Sequence, residues 1–133
     1  MKRRIPALMA AALLFACVGA AATELSDCPR PSAPQNLPEG SSSSESEMVE
    51  AQRMVKGFVS EGQAFLECLK TVIQEVKENV EEAQGGEDLT EEQTAAVRRH
   101  QKLIELHNEM VGEMQRVAEK FNQALHDYNA KEE

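Results

Sequence analysis

Two cysteines, Cys28 and Cys68, are the residues whose chemistry this sequence predicts most directly. Cys28 lies among prolines, and Cys68 lies in a stretch whose apolar residues recur at heptad spacing. Neither belongs to a Cys-x-x-Cys pair or has a cluster of basic neighbours that would favour a reactive thiolate. In an exported chain, such a pair typically forms a disulfide. We therefore expect a structural Cys28–Cys68 disulfide rather than a redox or intermolecular role.

A second candidate group consists of His107, Met110 and Met114, which share one face of the second predicted helix. A histidine with thioethers at i+3 and i+7 resembles a soft ligand set for Cu(I). Core packing explains the methionines equally well, and His100 lies roughly 10 Å from His107, too far for both to bind one ion. The prediction is no metal and no cofactor, with the His107 trio as the alternative.

The sequence contains no recognisable arrangement of catalytic residues. The serines at 41–44 lack the Gly-x-Ser-x-Gly context of a hydrolase nucleophile. Carboxylates cluster beside the predicted turn, where such charges are usually solvated: Glu78, Glu81, Glu82, Glu91 and Glu92. We expect that the protein is not an enzyme.

The first 22 residues have the pattern of an export signal. Three basic residues precede a short apolar run from Ile5 to Ala16, and small residues at 20–22 suit a signal peptidase. The mature chain is expected to begin near Thr23, in the periplasm or outside a bacterial cell. Leu14-Phe15-Ala16-Cys17 loosely resembles a lipobox, so a lipid anchor at Cys17 is a minor alternative. No later stretch reaches the ~20 apolar residues of a spanning helix.

Charge and size restrict the function further. Removing the signal takes three basic groups and changes the net charge from 14 minus 23 to 11 minus 23, or −12. So acidic a chain should not bind nucleic acid or an anionic membrane by bulk electrostatics. A single small helical domain with few aromatics has a marginal core, which favours a covalent link or an oligomer.

The mature chain divides into an arm and a helical region. Residues 23–44 contain four prolines and then a serine-rich run, which predicts an extended arm followed by a flexible linker. Ser44 and Glu47 fit a capping box, with Ser43 or Ser46 as alternative caps, so helix 1 is expected over about 45–84. A turn at 85–89 contains Gly85 and Gly86, and Thr90 with Gln93 predicts the capped start of helix 2, about 90–129.

Both predicted helices carry an apolar seam with a second apolar stripe beside it. The seam of helix 1 steps by three and four through Met48, Ala51, Val55, Phe58, Gly62, Phe65, Leu69, Val72, Val76, Asn79 and Ala83. The seam of helix 2 is Ala96, His100, Leu103, His107, Met110, Met114, Val117, Phe121, Ala124 and Tyr128. The stripes are Val59, Leu66, Ile73 and Val80, and Val97, Ile104, Val111, Ala118 and Leu125.

These patterns predict an all-α fold, an antiparallel two-helix hairpin over 45–130 with coiled-coil-like packing. The short turn sets a register that places Gly62 near Met114 and Leu69 near His107. The disulfide would close a loop of about 40 residues and hold the arm, with Leu37, against the hairpin near Cys68.

Several segments resemble a family of small exported proteobacterial helical-hairpin proteins of uncharacterised function, with a Cys-Pro-x-Pro arm and a second cysteine in helix 1. The segments are Cys28-Pro29-Arg30-Pro31, Pro34, Pro38-Glu39-Gly40, Glu47-Met48, 65–69 and 121–128. This resemblance implies the same arm, cysteine pair and hairpin, and no activity. Leu89–Gln93 is also similar to the LTxxQ motif of periplasmic proteins of the Spy and CpxP type, but a capped helix start requires the same letters.

The function expected from the sequence is therefore a non-enzymatic interaction or structural role outside the cytoplasm, by self-association or through a partner in the cell envelope. The alternative is a Spy/CpxP-like chaperone or metal-responsive binding protein.

Overall fold

The computed structural model of the protein describes residues 24–83 and 89–131. Helix α1 spans Glu45–Ala83 and helix α2 spans Glu91–Lys131, and the two pack against each other as an antiparallel hairpin. Two single turns of 3-10 helix, Leu25–Asp27 and Gly40–Ser42, precede them. Within the described ranges there is no strand, so the all-α prediction is confirmed. The predicted signal, Cys17 and most of the predicted turn lie outside these ranges.

Both helix starts have the predicted capping boxes. The Ser44 amide donates to Glu47 Oε2 at 2.7 Å, and the Glu47 amide donates to Ser44 Oγ at 3.4 Å. The Ser44 amide and, to a lesser extent, its hydroxyl hold the pKa of Glu47 below its ordinary value. At α2 the Thr90 amide donates to Gln93 Oε1 at 2.8 Å, and the Gln93 amide donates to Thr90 Oγ1 at 3.2 Å. The helices therefore begin at, or within one residue of, the predicted positions.

The core lies along the predicted seams. Leu69, Val72 and Met110 are the largest side chains that are fully buried. Asn79 of the α1 seam is exposed, and the histidines of the α2 seam are only half-buried, as expected where polar residues interrupt an apolar face. The most deeply buried side chains therefore lie near the middle of the hairpin, and the polar seam positions leave the part beside the turn less completely apolar.

The predicted register is confirmed at Gly62. A Cβ atom built on Gly62 would lie 2.5 Å from Met114 Sδ and 3.1 Å from Met110 Cε. The two methionine side chains thus fill the space that a larger residue would occupy on α1. Glycine is unfavourable in a helix interior by about 1 kcal/mol relative to alanine, and this packing explains its presence.

We expect Gly62→Leu to destabilise the protein by about 1–3 kcal/mol, because a leucine there would overpack the contact with Met110 and Met114. Thermal unfolding followed by circular dichroism measures the effect. Gly57→Leu is the matched control, since Gly57 is exposed and, apart from its chain neighbours and the backbone of its own helix, no heavy atom of the described residues lies within 4 Å of a Cβ there. Equal melting temperatures for the two variants would contradict the register.

The arm forms a third layer on the hairpin. It starts at the Cys28–Cys68 disulfide, whose Cα atoms are 5.6 Å apart, and runs back to the start of α1. Arg30 pairs with Glu109 at 3.6 Å and Glu113 at 3.2 Å, both on α2. Ala33 and Leu37 pack against the core farther along. The predicted placement near Cys68 is correct for the first residues, and the contact then continues to the open end of the hairpin.

The serine-rich segment differs from its prediction as a flexible linker. The turn Gly40–Ser42 packs on α2, and Ser43 is buried with its hydroxyl donating to the Glu39 carbonyl at 2.5 Å. The Lys131 ammonium donates to the Ser43 carbonyl oxygen and lies 4.5 Å from the centroid of the Tyr128 ring. The C-terminal turn of α2 therefore holds the end of the arm, a long-range contact that composition alone does not reveal.

Candidate functional site

The structure brings together only some of the residues that the sequence singled out. Met110 is fully buried, and Met114 directs its thioether toward Gly62, whereas His107 is half-buried. Packing against α1 thus accounts for both methionines. Over residues 24–83 and 89–131, no group of three or more histidine, cysteine and acidic side chains could hold a metal ion. That the protein binds no metal stays a prediction, because this finding does not consider methionine ligands.

Four of the carboxylates near the turn, those of Glu78, Glu81, Glu91 and Glu92, are exposed. Glu81 pairs with Lys77 at 3.4 Å, and Glu78 accepts a hydrogen bond from the Gln74 amide at 3.2 Å. Glu91 and Glu92 lie in the first turn of α2, where the helix dipole favours negative charge. These contacts are typical of solvated surface charge.

The two flanks of the helix pair are different. The arm covers one flank, on the side of Cys68, and the second apolar stripes of both helices lie on the other. Leu66 and Val80 of α1 are buried there, so part of the face that the sequence left open is used within the hairpin. On α2 the stripe is more accessible: Ile104 is 39% and Leu125 is 37% exposed.

The accessible stripe of α2 is bordered by a row without charge. Each residue of this neutral row lies three positions before a stripe residue or four positions after one, which makes it the next row on the helix surface. Its members are Thr94, Gln101, Asn108, Gln115 and Asn122. We call the α2 stripe and this row together the neutral face. Charged residues make up 28% of the chain, and the ten positions of the neutral face contain none. Apolar periodicity in the sequence indicates the stripe, but it does not reveal the uncharged polar row beside it.

A groove lies on the other flank, between Leu25 and α2. It has a volume of about 660 Å³, and its walls carry Arg98, Arg99 and Lys102 beside Leu103 and Leu106. Glu105 and Glu109 also line it. A second depression of about 540 Å³, between the helices near the turn, shares Ala95 and Arg99 with it. We call the first of these the basic groove.

The sequence reasoning missed the basic groove because its wall at Leu25 exists only once the disulfide places the start of the arm beside α2. A signal was nevertheless present. Arg98, Arg99 and Lys102 form a basic segment free of acidic residues in an otherwise acidic chain. Basic clusters of this kind are a reasonable place to look for an anionic partner.

Two further observations bear on identity. No helix in the described parts of the chain is both long and apolar enough to cross a membrane. No protein-family model, no curated protein and no solved structure matches the chain. The function must therefore be argued from the neutral face, the basic groove and the covalently attached arm.

Proposed function

We propose that this protein is a non-enzymatic interaction protein of the bacterial periplasm that associates with a second copy of itself through the neutral face. The exposure of Ile104 and Leu125 on a surface without charge is the observation that carries this proposal. Depletion of charged side chains marks the centres of protein interfaces more reliably than overall hydrophobicity does. The disulfide and the export pattern of residues 1–22 support the compartment.

The spacing of the stripe suits a twofold contact. Ile104 and Leu125 are separated by three heptads, roughly 31 Å along the helix, with Val111 and Ala118 between them. If two copies of α2 pack antiparallel, Ile104 of each chain faces Leu125 of the other, and Val111 faces Ala118. A twofold interface is self-complementary in this sense, and twofold dimers are the commonest oligomers.

The neutral row supplies the polar part of this contact. Gln101, Asn108, Gln115 and Asn122 carry amides that both donate and accept hydrogen bonds, so they can pair across the interface without burying charge. Charged residues in the same row would have to be desolvated at a substantial cost. The composition of the neutral face therefore favours a protein partner.

Substitution of two stripe residues tests this function. We expect the mature, oxidised protein to sediment as a dimer at tens of micromolar and Ile104→Glu/Leu125→Glu to sediment as a monomer with unchanged helicity. By symmetry, four carboxylates would enter one interface, which should raise the dissociation constant by more than about a hundredfold. Ser60→Glu/Thr71→Glu adds the same charge at exposed positions of α1 and should leave the dimer intact.

Two outcomes would contradict the proposal. One is a wild-type protein that is monomeric throughout this concentration range. The other is a double stripe variant that still sediments as a dimer.

A further inference from the structure

We propose that the basic groove binds an extended acidic peptide segment of a partner protein. This site is separate from the neutral face, because it lies on the flank of the helix pair that the arm occupies. It goes beyond self-association and does not depend on it.

The charge of the groove is the first argument. Arg98, Arg99 and Lys102 line it together, and among the salt bridges of residues 24–83 and 89–131 none involves any of these three side chains. Of the two carboxylates in the same groove, Glu109 already lies 3.6 Å from Arg30. The groove is therefore a local excess of positive charge on a chain whose net charge is −9. Complementary charge both steers a partner and selects it.

The contacts of the arm indicate which kind of segment can bind on this flank of α2. Immediately beyond the groove, the proline-containing part of the arm crosses the helix pair beside α1, and its Arg30 reaches across to pair with Glu109 and Glu113 of α2. This flank of α2 thus contacts a neighbouring segment through side chains of matching charge. Between Glu109 and the turn, the same flank carries the basic residues Arg98, Arg99 and Lys102. A segment that matches their charge must therefore carry carboxylates.

The shape of the groove agrees with this ligand. Its α2 wall runs from Ala95 to Glu109, a rise of roughly 21 Å along the helix, which is the length of about six extended residues. Leu25, Leu103 and Leu106 offer apolar contacts between the charged groups. Alternate side chains of an extended peptide point to opposite sides, so acidic and apolar residues in alternation would meet both kinds of wall.

A fatty acid fits the groove less well. Its hydrocarbon tail would cover Glu105 without giving this carboxylate a hydrogen-bond donor, which is costly. A peptide backbone offers N–H groups at the same place. The observations therefore favour a peptide, and a fatty acid becomes an alternative outcome of the test.

Fluorescence anisotropy with a defined probe tests the inference. The probe is an acetylated hexapeptide in which glutamate alternates with leucine, labelled with an uncharged fluorophore and titrated with the mature, oxidised protein. We expect saturable binding that weakens as salt increases, and no binding of the same peptide with lysine in place of glutamate. Arg98→Gln/Arg99→Gln/Lys102→Gln should weaken binding by about tenfold, since exposed charge pairs contribute modestly and three are lost.

The matched control is Lys56→Gln/Arg116→Gln/Lys120→Gln, which removes the same charge from exposed positions outside the groove and should change affinity less than twofold. Equal losses in both triple variants would overturn the proposal in favour of bulk electrostatics. The absence of saturable binding up to about 1 mM protein would also overturn it, because an affinity weaker than this is too low for recognition. Equal binding of the lysine and glutamate peptides, with both displaced by laurate, would overturn it as well, because the groove would then bind apolar ligands regardless of their charge.

The same variants keep this inference distinct from self-association. Sedimentation of the groove variant should still show a dimer, and Ile104→Glu/Leu125→Glu should still bind the peptide. Failure of one proposal therefore leaves the other open to its own test.

Discussion

Replacing Cys28 and Cys68 together by serine is expected to lower the free energy of unfolding by about 4 kcal/mol. The bond joins residues 40 apart in sequence, and the chain-entropy model gives this value for a loop of that length. Small domains unfold with about 5–15 kcal/mol in total, so the loss is a large share of the stability. Chemical denaturation followed by circular dichroism measures it.

The structure adds a reason for the expected size of this effect. Without the bond, the first part of the arm is held mainly by the exposed pairs of Arg30 with Glu109 and Glu113, which contribute little. The arm side of the core would then open to water near Phe65. Wild-type protein treated with reductant should lose the same stability as the double serine variant. A loss below about 1 kcal/mol in both would show that the disulfide does not stabilise this fold.

The second large effect is expected at Gly40, where alanine should cost about 2–3 kcal/mol. A Cβ on Gly40 would lie 1.7 Å from the Ala124 carbonyl oxygen and 2.7 Å from the Tyr128 amide nitrogen. Both atoms belong to the backbone of α2 and cannot rotate away, so the turn at Gly40–Ser42 must lift off the helix. The hydrogen bond from Lys131 to Ser43 would break with it.

Glycine is required at position 40 for space and not for its backbone angles, because no glycine in the described residues has a positive φ. Gly57→Ala is the matched control. A Cβ at position 57 meets no heavy atom of the described residues within 4 Å other than those of its chain neighbours and its own helix backbone, so alanine there should stabilise α1 by about 0.5–1 kcal/mol. Melting temperatures that change in the same direction in both variants would contradict the tight packing of the arm on α2.

The parts of the fold that depend on local sequence could be predicted. Ser44 with Glu47 and Thr90 with Gln93 define the helix starts because the partners are only three residues apart. The heptad seams fix which faces meet, and the short turn fixes the register, as the contact between Gly62 and Met114 shows. Such a periodic pattern can be recognised within one or two turns of helix, so it can be predicted from the local sequence alone.

The contacts of the arm could be predicted only in outline. The cysteines imply one attachment point, but nothing near Gly40 in sequence announces that it packs on Ala124. The basic groove depends on the same arm through Leu25. Extended segments lack a periodic pattern, so their path over a surface is set by contacts between residues far apart in sequence.

Three-dimensional packing also decides which residues of the second apolar stripes are buried within the hairpin. Periodicity indicated that both helices carry it, but it could not tell that Leu66 and Val80 are buried within the hairpin while Ile104 and Leu125 remain accessible. Which residues of a wide apolar face stay open is decided by the crossing of the two helices. The interface proposed here is therefore narrower than the one the sequence suggested.

Amide hydrogen exchange of the mature, oxidised protein tests most directly whether the arm completes the core. If it does, amides of α1 between Ala51 and Leu69 and of α2 between Met110 and Ala124 should exchange slowly. Amides between Val72 and Val80 and between Ala96 and Leu103 should exchange much faster, because only the first turn of the arm, at Leu25, lies beside that half. Reduction of the disulfide should remove most of this difference. Equal protection in the two halves of the oxidised protein, or slower exchange in the half beside the turn, would contradict the account.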